Sequence, residues 1–127
     1  MQYFKNIVFL LVLFNSFQAF SESIYNITPI EVSKNVYVFF GDVNNLNNVN
    51  GGAISNTGFI IGKKSILVID AGPSYLYASR VIEIIKSYSS LPIKHLIVTH
   101  HHPDHSFGIS KFIEILQEEK TQIAKAE

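Results

Sequence analysis

The sequence predicts an α/β (α+β) fold whose centre is a mixed sheet built around one βαβ unit. Three observations lead there. Ile66-Leu67-Val68-Ile69 is apolar without alternation, and Ile93 to Thr99 is a second such strand around Leu96-Ile97-Val98, so both strands are expected to be covered on both faces. Between them Tyr77, Val81, Ile84 and Tyr88 recur at three- and four-residue spacing, a single apolar helical stripe, with Arg80, Glu83 and Lys86 on the wet side. Strand, helix and strand at this spacing require parallel pairing with a right-handed crossover.

From the N-terminus, Lys5 precedes eight unbroken apolar residues, Ile7 to Phe14, and Ala19-Phe20-Ser21 supplies small residues for cleavage. Asn15, Ser16 and Gln18 interrupt the run well before the roughly 20 apolar residues that a membrane span needs. The expectation is a signal peptide over 1–21, a mature domain over 22–127, and a periplasmic or secreted product with no stable membrane span after cleavage. An uncleaved anchor is the alternative. The chain has no cysteine, which rules out lipidation, disulfides and thiolate metal ligands. A chain of 127 residues supports one domain. Its ten acidic and ten basic residues balance, and no basic run occurs, so nothing points to nucleic acid.

Residues 22–29 form a short polar lead. Asn35 to Phe40 is β-branched and aromatic and predicts a strand. Asp42 to Gly52 is rich in asparagine and glycine and predicts a mobile loop. Ala53 to Ile61 and Ser65 to Asp70 are the next strands, joined at Gly62-Lys63-Lys64. Asp70-Ala71-Gly72-Pro73-Ser74 leads into the helix, and Ser89-Ser90-Leu91-Pro92 ends it. Near the C-terminus Ile109, Phe112, Ile113 and Leu116 mark an amphipathic helix of about three turns. Thr121 to Glu127 is expected to begin another strand.

The chemistry concentrates in Thr99-His100-His101-His102-Pro103-Asp104-His105. Along an extended backbone, residues i and i+2 point the same way, so His100 and His102 share one side and His101 faces the other. Pro103 bars a regular helix through this point, and Asp104 and His105 return from the turn that follows. Two imidazoles on one spot and a carboxylate plus an imidazole on another suit one or two zinc-type ions. The run also sits at the carboxyl end of a parallel strand, where such sheets place their sites. Asp70, at the end of the neighbouring strand, has two readings. It is an acceptor that orients a ligand imidazole or the loop backbone, or a carboxylate serving the following helix N-terminus. His95 is expected to be a surface histidine.

His-x-His-x-Asp-His resembles the metal motif of the metallo-β-lactamase superfamily. Gly58-Phe59-Ile60-Ile61-Gly62, Ile66 to Gly72 and Ile97-Val98-Thr99-His100 are similar, in order, to the first half of that fold, over roughly residues 30–127. His102-Pro103-Asp104-His105-Ser106-Phe107-Gly108 also resembles a run in the exported zinc metallohydrolases of quinoprotein relay systems.

The resemblance implies the N-terminal half of a four-layer αββα sandwich. It implies zinc, one or two ions, held by His100, His102, Asp104 and His105. Asp104 would be the catalytic residue that orients or deprotonates the attacking water. The activity implied is hydrolysis of an amide, ester, thioester or lactone in a small-molecule substrate. The resemblance also makes the Asp42–Gly52 segment a loop overhanging the site.

No histidine follows His105, so the second-half ligands of that family have no counterpart here. A catalytic zinc takes three protein ligands, and the motif supplies two per ion. The isolated chain is therefore expected to be inactive until a second-half chain or a second copy completes it. Val36, Val38, Phe40, Phe59 and Ile61 cannot all be shielded by two helices, so an apolar patch is expected. The alternatives are a non-catalytic periplasmic metal-binding or interaction module, and a non-functional fragment.

Overall fold

The computed structural model describes residues 25–126; the leader expected over 1–21 lies outside them. Among the described residues, no helix is long and apolar enough to cross a membrane.

Five strands form one sheet in sequence order, β1 (Ile30–Ser33), β2 (Val36–Phe39), β3 (Thr57–Ile61), β4 (Ile66–Ile69) and β5 (Ile93–Ile97). The first three pairings are antiparallel, and β4 with β5 is parallel, so the sheet is mixed as expected. The parallel pair is joined by helix α1 (Tyr75–Tyr88), which completes the βαβ unit. A short helix α2 (Pro103–Ser106) and a long one, α3 (Ile109–Ala126), follow.

Strand β1 went unread in the sequence because four residues leave too little periodicity to register. It turns into β2 at Lys34-Asn35. There Asn35 adopts φ 63°, a left-handed conformation that asparagine tolerates, and its N–H donates to Glu31 Oε1 at 2.9 Å. Strand β3 begins at Thr57 rather than Ala53. Upstream of it the backbone bonds elsewhere: Asp42 N–H donates to the Ala53 carbonyl, and Gly41 N–H to the Asn56 side chain. The Asn-rich loop is folded on its own side chains. Asn47 Oδ1 accepts from the Val49 and Asn50 amides, and Asp42 Oδ1 from Asn44. Those Asn44 bonds, backbone first, hold the Asp42 carboxyl below its ordinary pKa. Val43, Leu46 and Val49 point outward from this loop and are exposed.

Helix α1 starts where Ser74 Oγ accepts the Tyr77 amide at 3.0 Å. It ends at Ser89, whose N–H returns to the Ile85 carbonyl, ahead of Leu91-Pro92. Tyr77, Ala78, Val81, Ile82, Ile84 and Ile85 are buried. Tyr88 departs from the expected stripe. It is 46% exposed, its ring lying edge-on against Tyr37 at 5.0 Å and Phe59 at 5.9 Å. Tyr77 Oη lies 2.8 Å from Thr57 Oγ1, and burial pushes its pKa up to about 12.

The C-terminal strand expected over Thr121–Glu127 is not formed; α3 runs through to Ala126. The segment after Leu116 is dominated by glutamine, glutamate, lysine and alanine and contains no glycine or proline, so nothing stops the helix.

Strand register sorts the sheet into two faces. Tyr37, Phe59, Val68 and Leu96 line up across four strands on the helix side, beside Phe39, Ile66 and Ile93. With Val81, Ile85, Phe112 and Ile115 from the helices these form the core. The other face carries two rows, Val36-Ile60-Leu67 and Ile30-Val38-Gly58-Ile69-Ile97. Ile30 is 56% and Ile97 51% exposed, and Val36, Val38, Ile60, Leu67 and Ile69 are half-buried. The expected apolar patch therefore exists with corrected membership. Phe59 and Ile61 turn to the helices, so Phe59 is fully buried, and β4 and β5 are covered on one face rather than two.

Candidate metal centre

The site lies where β4 and β5 end together. Strand β5 stops at Ile97, two residues before the expected Thr99, because the next donor leaves the sheet ladder. Asp70 N–H still bonds the Ile97 carbonyl at 2.8 Å, but Thr99 N–H turns to Asp70 Oδ1 at 2.7 Å. The backbone then bends through His100 and His101. His102 precedes α2 in extended conformation, and Pro103 occupies the first helical position, where its missing N–H costs nothing.

This short helix is pinned from three directions. Ser55 Oγ donates to the Asp104 carbonyl at 2.6 Å, and Ser106 Oγ to the His102 carbonyl at 2.9 Å. Ala71 N–H donates to the His105 carbonyl at 2.8 Å, and Gly108 N–H to the Gly72 carbonyl at 3.0 Å. Gly108 packs so tightly that a Cβ there would overlap the Ala71 carbonyl oxygen and touch Ala78. The β4–α1 loop and the histidine loop are thus one tied unit.

His100 and His102 form one pair and Asp104 and His105 a second beside it, and His101 stays outside both. His100 Nε2 and His102 Nδ1 face each other at 3.0 Å, and the His100 and His105 rings lie 4.1 Å apart. His105 Nε2 stands 3.5 Å from Asp104 Oδ2. His101 is exposed, and its ring meets that of His102 edge-on with centroids 5.2 Å apart. His95 is exposed, as a surface histidine should be.

Asp70 resolves in favour of orientation. It is 4% exposed, and the helix N-terminus belongs to Ser74 instead. Its carboxylate accepts from Thr99 N–H, from Thr99 Oγ1 at 3.0 Å on both oxygens, and from His105 Nδ1 at 2.8 Å. It holds this position from a left-handed backbone, φ 62°, that aspartate reaches more readily than most residues. With Nδ1 bound to Asp70, His105 presents Nε2 towards Asp104.

The sequence placed Thr99 in the motif without giving it a role, and gave no sign of Ser55 or Ser106. Thr99 adjoins the histidine run and was open to notice. The two serines act through backbone carbonyls and leave no sequence signal.

The donors suit zinc in kind, imidazole nitrogen and carboxylate oxygen, but each cluster supplies two. Among the described residues, no group of three or more histidine, aspartate or glutamate side chains converges to hold a metal ion.

Strand order, the tied loops and the placement of this cluster define a class of protein, and comparison gives it a name. The chain belongs to the metallo-beta-lactamase superfamily, whose family model matches residues 50–120. Among solved structures, the fold is similar to the metallo-beta-lactamase FIM-1 from Pseudomonas aeruginosa in its mono-zinc form. That likeness has a TM-score of 0.61 at 18% identity and covers 72% of this chain and 40% of that one. A span of 40% is in keeping with one half of a two-half sandwich. No curated protein matches the chain.

Proposed function

We propose that this chain carries the metal-binding half of an exported zinc-dependent hydrolase. The observation behind this reading is the convergence of His100 Nε2 and His102 Nδ1 to 3.0 Å, beside the His105–Asp104 pair. Two nitrogens at that separation suit adjacent corners of one ion's coordination shell. His100 and His102 would hold one ion, and Asp104 and His105 a second. Bound zinc would acidify a water towards neutral pH and polarise a carbonyl oxygen. Asp104 would orient that water and take its proton. Asp70, Thr99, Ser55 and the Gly108 junction hold the ligands in place. The substrate class is a small molecule with an amide, ester, thioester or lactone bond.

Two donors per ion leave each shell short, and the apolar rows on the second sheet face offer a surface for what completes it. A second-half chain, or a second copy of this one, is proposed to cover Ile30, Val38, Ile60, Leu67, Ile69 and Ile97 and to bring further ligands. The product is proposed to act in the periplasm or outside the cell, after cleavage near residues 20–23. An intact Met1 on the exported protein would contradict that cleavage.

The decisive experiment measures zinc-dependent hydrolysis of β-lactam and thioester substrates by the chain alone and with a second-half chain. The expected result is negligible turnover alone and zinc-dependent turnover in the pair, lost by more than 100-fold in Asp104→Asn. Rapid zinc-dependent turnover by the monomer alone would overturn the reading of incompleteness. Tight zinc binding without turnover in any assembly would favour a metal-binding module.

A further inference from the structure

Thr99 Oγ1 sits where a carboxylate and two imidazoles meet, and its hydroxyl proton has a part beyond holding the loop in place. The oxygen lies 3.0 Å from each oxygen of Asp70 and 3.0 Å from His100 Nδ1. A hydroxyl has one proton to give and lone pairs to accept with. The Asp70 carboxylate can only accept, so the Thr99 proton goes there. The Thr99 oxygen is then left to accept, and two imidazole nitrogens face it: His105 Nδ1 at 3.5 Å, whose proton goes to the nearer Asp70 Oδ2 at 2.8 Å, and His100 Nδ1 at 3.0 Å. That nitrogen must carry its proton, which leaves Nε2 of His100 with a bare lone pair. Nε2 is the atom that faces His102 Nδ1 at 3.0 Å. Asp70 contacts His105 directly, Nδ1 to Oδ2 at 2.8 Å.

We infer that Thr99 is a positioning residue through which the one buried carboxylate of Asp70 sets the tautomer of His100 as well as that of His105. One carboxylate thereby prepares a free Nε2 in each ligand pair before any ion arrives. The zinc consequence rests on the function proposed above; the tautomer assignment does not. With His100 protonated on Nδ1, the 3.0 Å contact has His102 Nδ1–H donating to His100 Nε2 in the metal-free protein. His102 is exposed, so that proton can move to its outer nitrogen when an ion binds.

The test reads the imidazole nitrogens by 15N NMR in the zinc-free full chain, at one pH where free imidazole is neutral. A zinc titration against a competing chelator follows on the same samples. Wild type and Thr99→Ser should show His100 protonated on Nδ1. Thr99→Val, which keeps the shape and the backbone N–H bond to Asp70, should move the His100 proton to Nε2 and leave His105 unchanged. Zinc affinity should fall roughly 10–100-fold in Thr99→Val and recover in Thr99→Ser. Thr99→Ala serves in the same role if circular dichroism shows the valine variant unfolded. Retention of Nδ1–H on His100 without the hydroxyl would overturn the inference, as would Thr99→Ser behaving like Thr99→Val. Failure of the wild type to bind zinc would count against the proposed function, while the tautomers would still decide the role of Thr99.

Discussion

Replacing Asp70 with asparagine separates the chemistry of this carboxylate from the shape of its backbone. Asparagine tolerates the left-handed φ of 62°, so the substitution adds little strain; alanine there would add roughly 1–2 kcal/mol. An amide oxygen in the place of Oδ1 keeps both bonds from Thr99, at 2.7 and 3.0 Å. The amide nitrogen then stands in the place of Oδ2, 2.8 Å from His105 Nδ1. Two N–H groups would meet there, so His105 must move its proton to Nε2, the atom it would offer to an ion. Hydrogen bonds to a charged group contribute about 1.5–3 kcal/mol and neutral ones about 0.5–1.5. Three weakened bonds at a site only 4% exposed therefore cost on the order of 3 kcal/mol. Urea unfolding should show that loss as a lower midpoint with unchanged slope, larger again for Asp70→Ala. Zinc affinity should fall roughly 10–100-fold because one ligand presents a proton instead of a lone pair. An asparagine variant with wild-type stability and wild-type zinc affinity would refute the reasoning, since neither the three bonds nor the tautomer of His105 would then matter.

Three further outcomes are expected. Gly108→Ala should cost at least about 1–3 kcal/mol in chemical unfolding, because its Cβ would overlap the Ala71 carbonyl and prise apart the two tied loops; an unchanged midpoint would show that the loops can yield. Tyr77, with its pKa raised to about 12 by burial, keeps its proton where the unfolded chain loses it, above about pH 10. Stability should therefore be full below about pH 10 and fall by roughly 2–3 kcal/mol as pH rises towards 12, a slope that Tyr77→Phe should clearly reduce in urea titrations across that range. His102→Ala should weaken zinc binding far more than His101→Ala, since His101 stands outside the cluster; equal effects by calorimetry would contradict the placement of the two rings.

The sequence by itself determined the elements whose cause is local. The apolar stripe at Tyr77, Val81 and Ile84 required a buried helix face, and its position between Ile66–Ile69 and Ile93–Ile97 required a parallel pair. The spacing of His100, His102, Asp104 and His105 around Pro103 was enough to place two pairs of polar side chains side by side, one in the bend after β5 and one in α2. Composition could not show which sheet face each strand residue takes. A shift of one residue exchanges the faces, and only pairing from β2 through β5 turned Phe59 inwards and left Ile97 outside. Strand β1 depended on β2 for its existence, because four residues alone cannot hold a ladder. The continuation of α3 through Ala126 followed from the absence of any breaker, where an isolated Thr-Gln-Ile pattern had suggested a strand. The roles of Asp70, Thr99 and Ser55 were decided by tertiary structure alone. Their bonds span 29 to 49 residues of chain, and such contacts exist only once β4, β5 and the loops that follow them have been brought side by side.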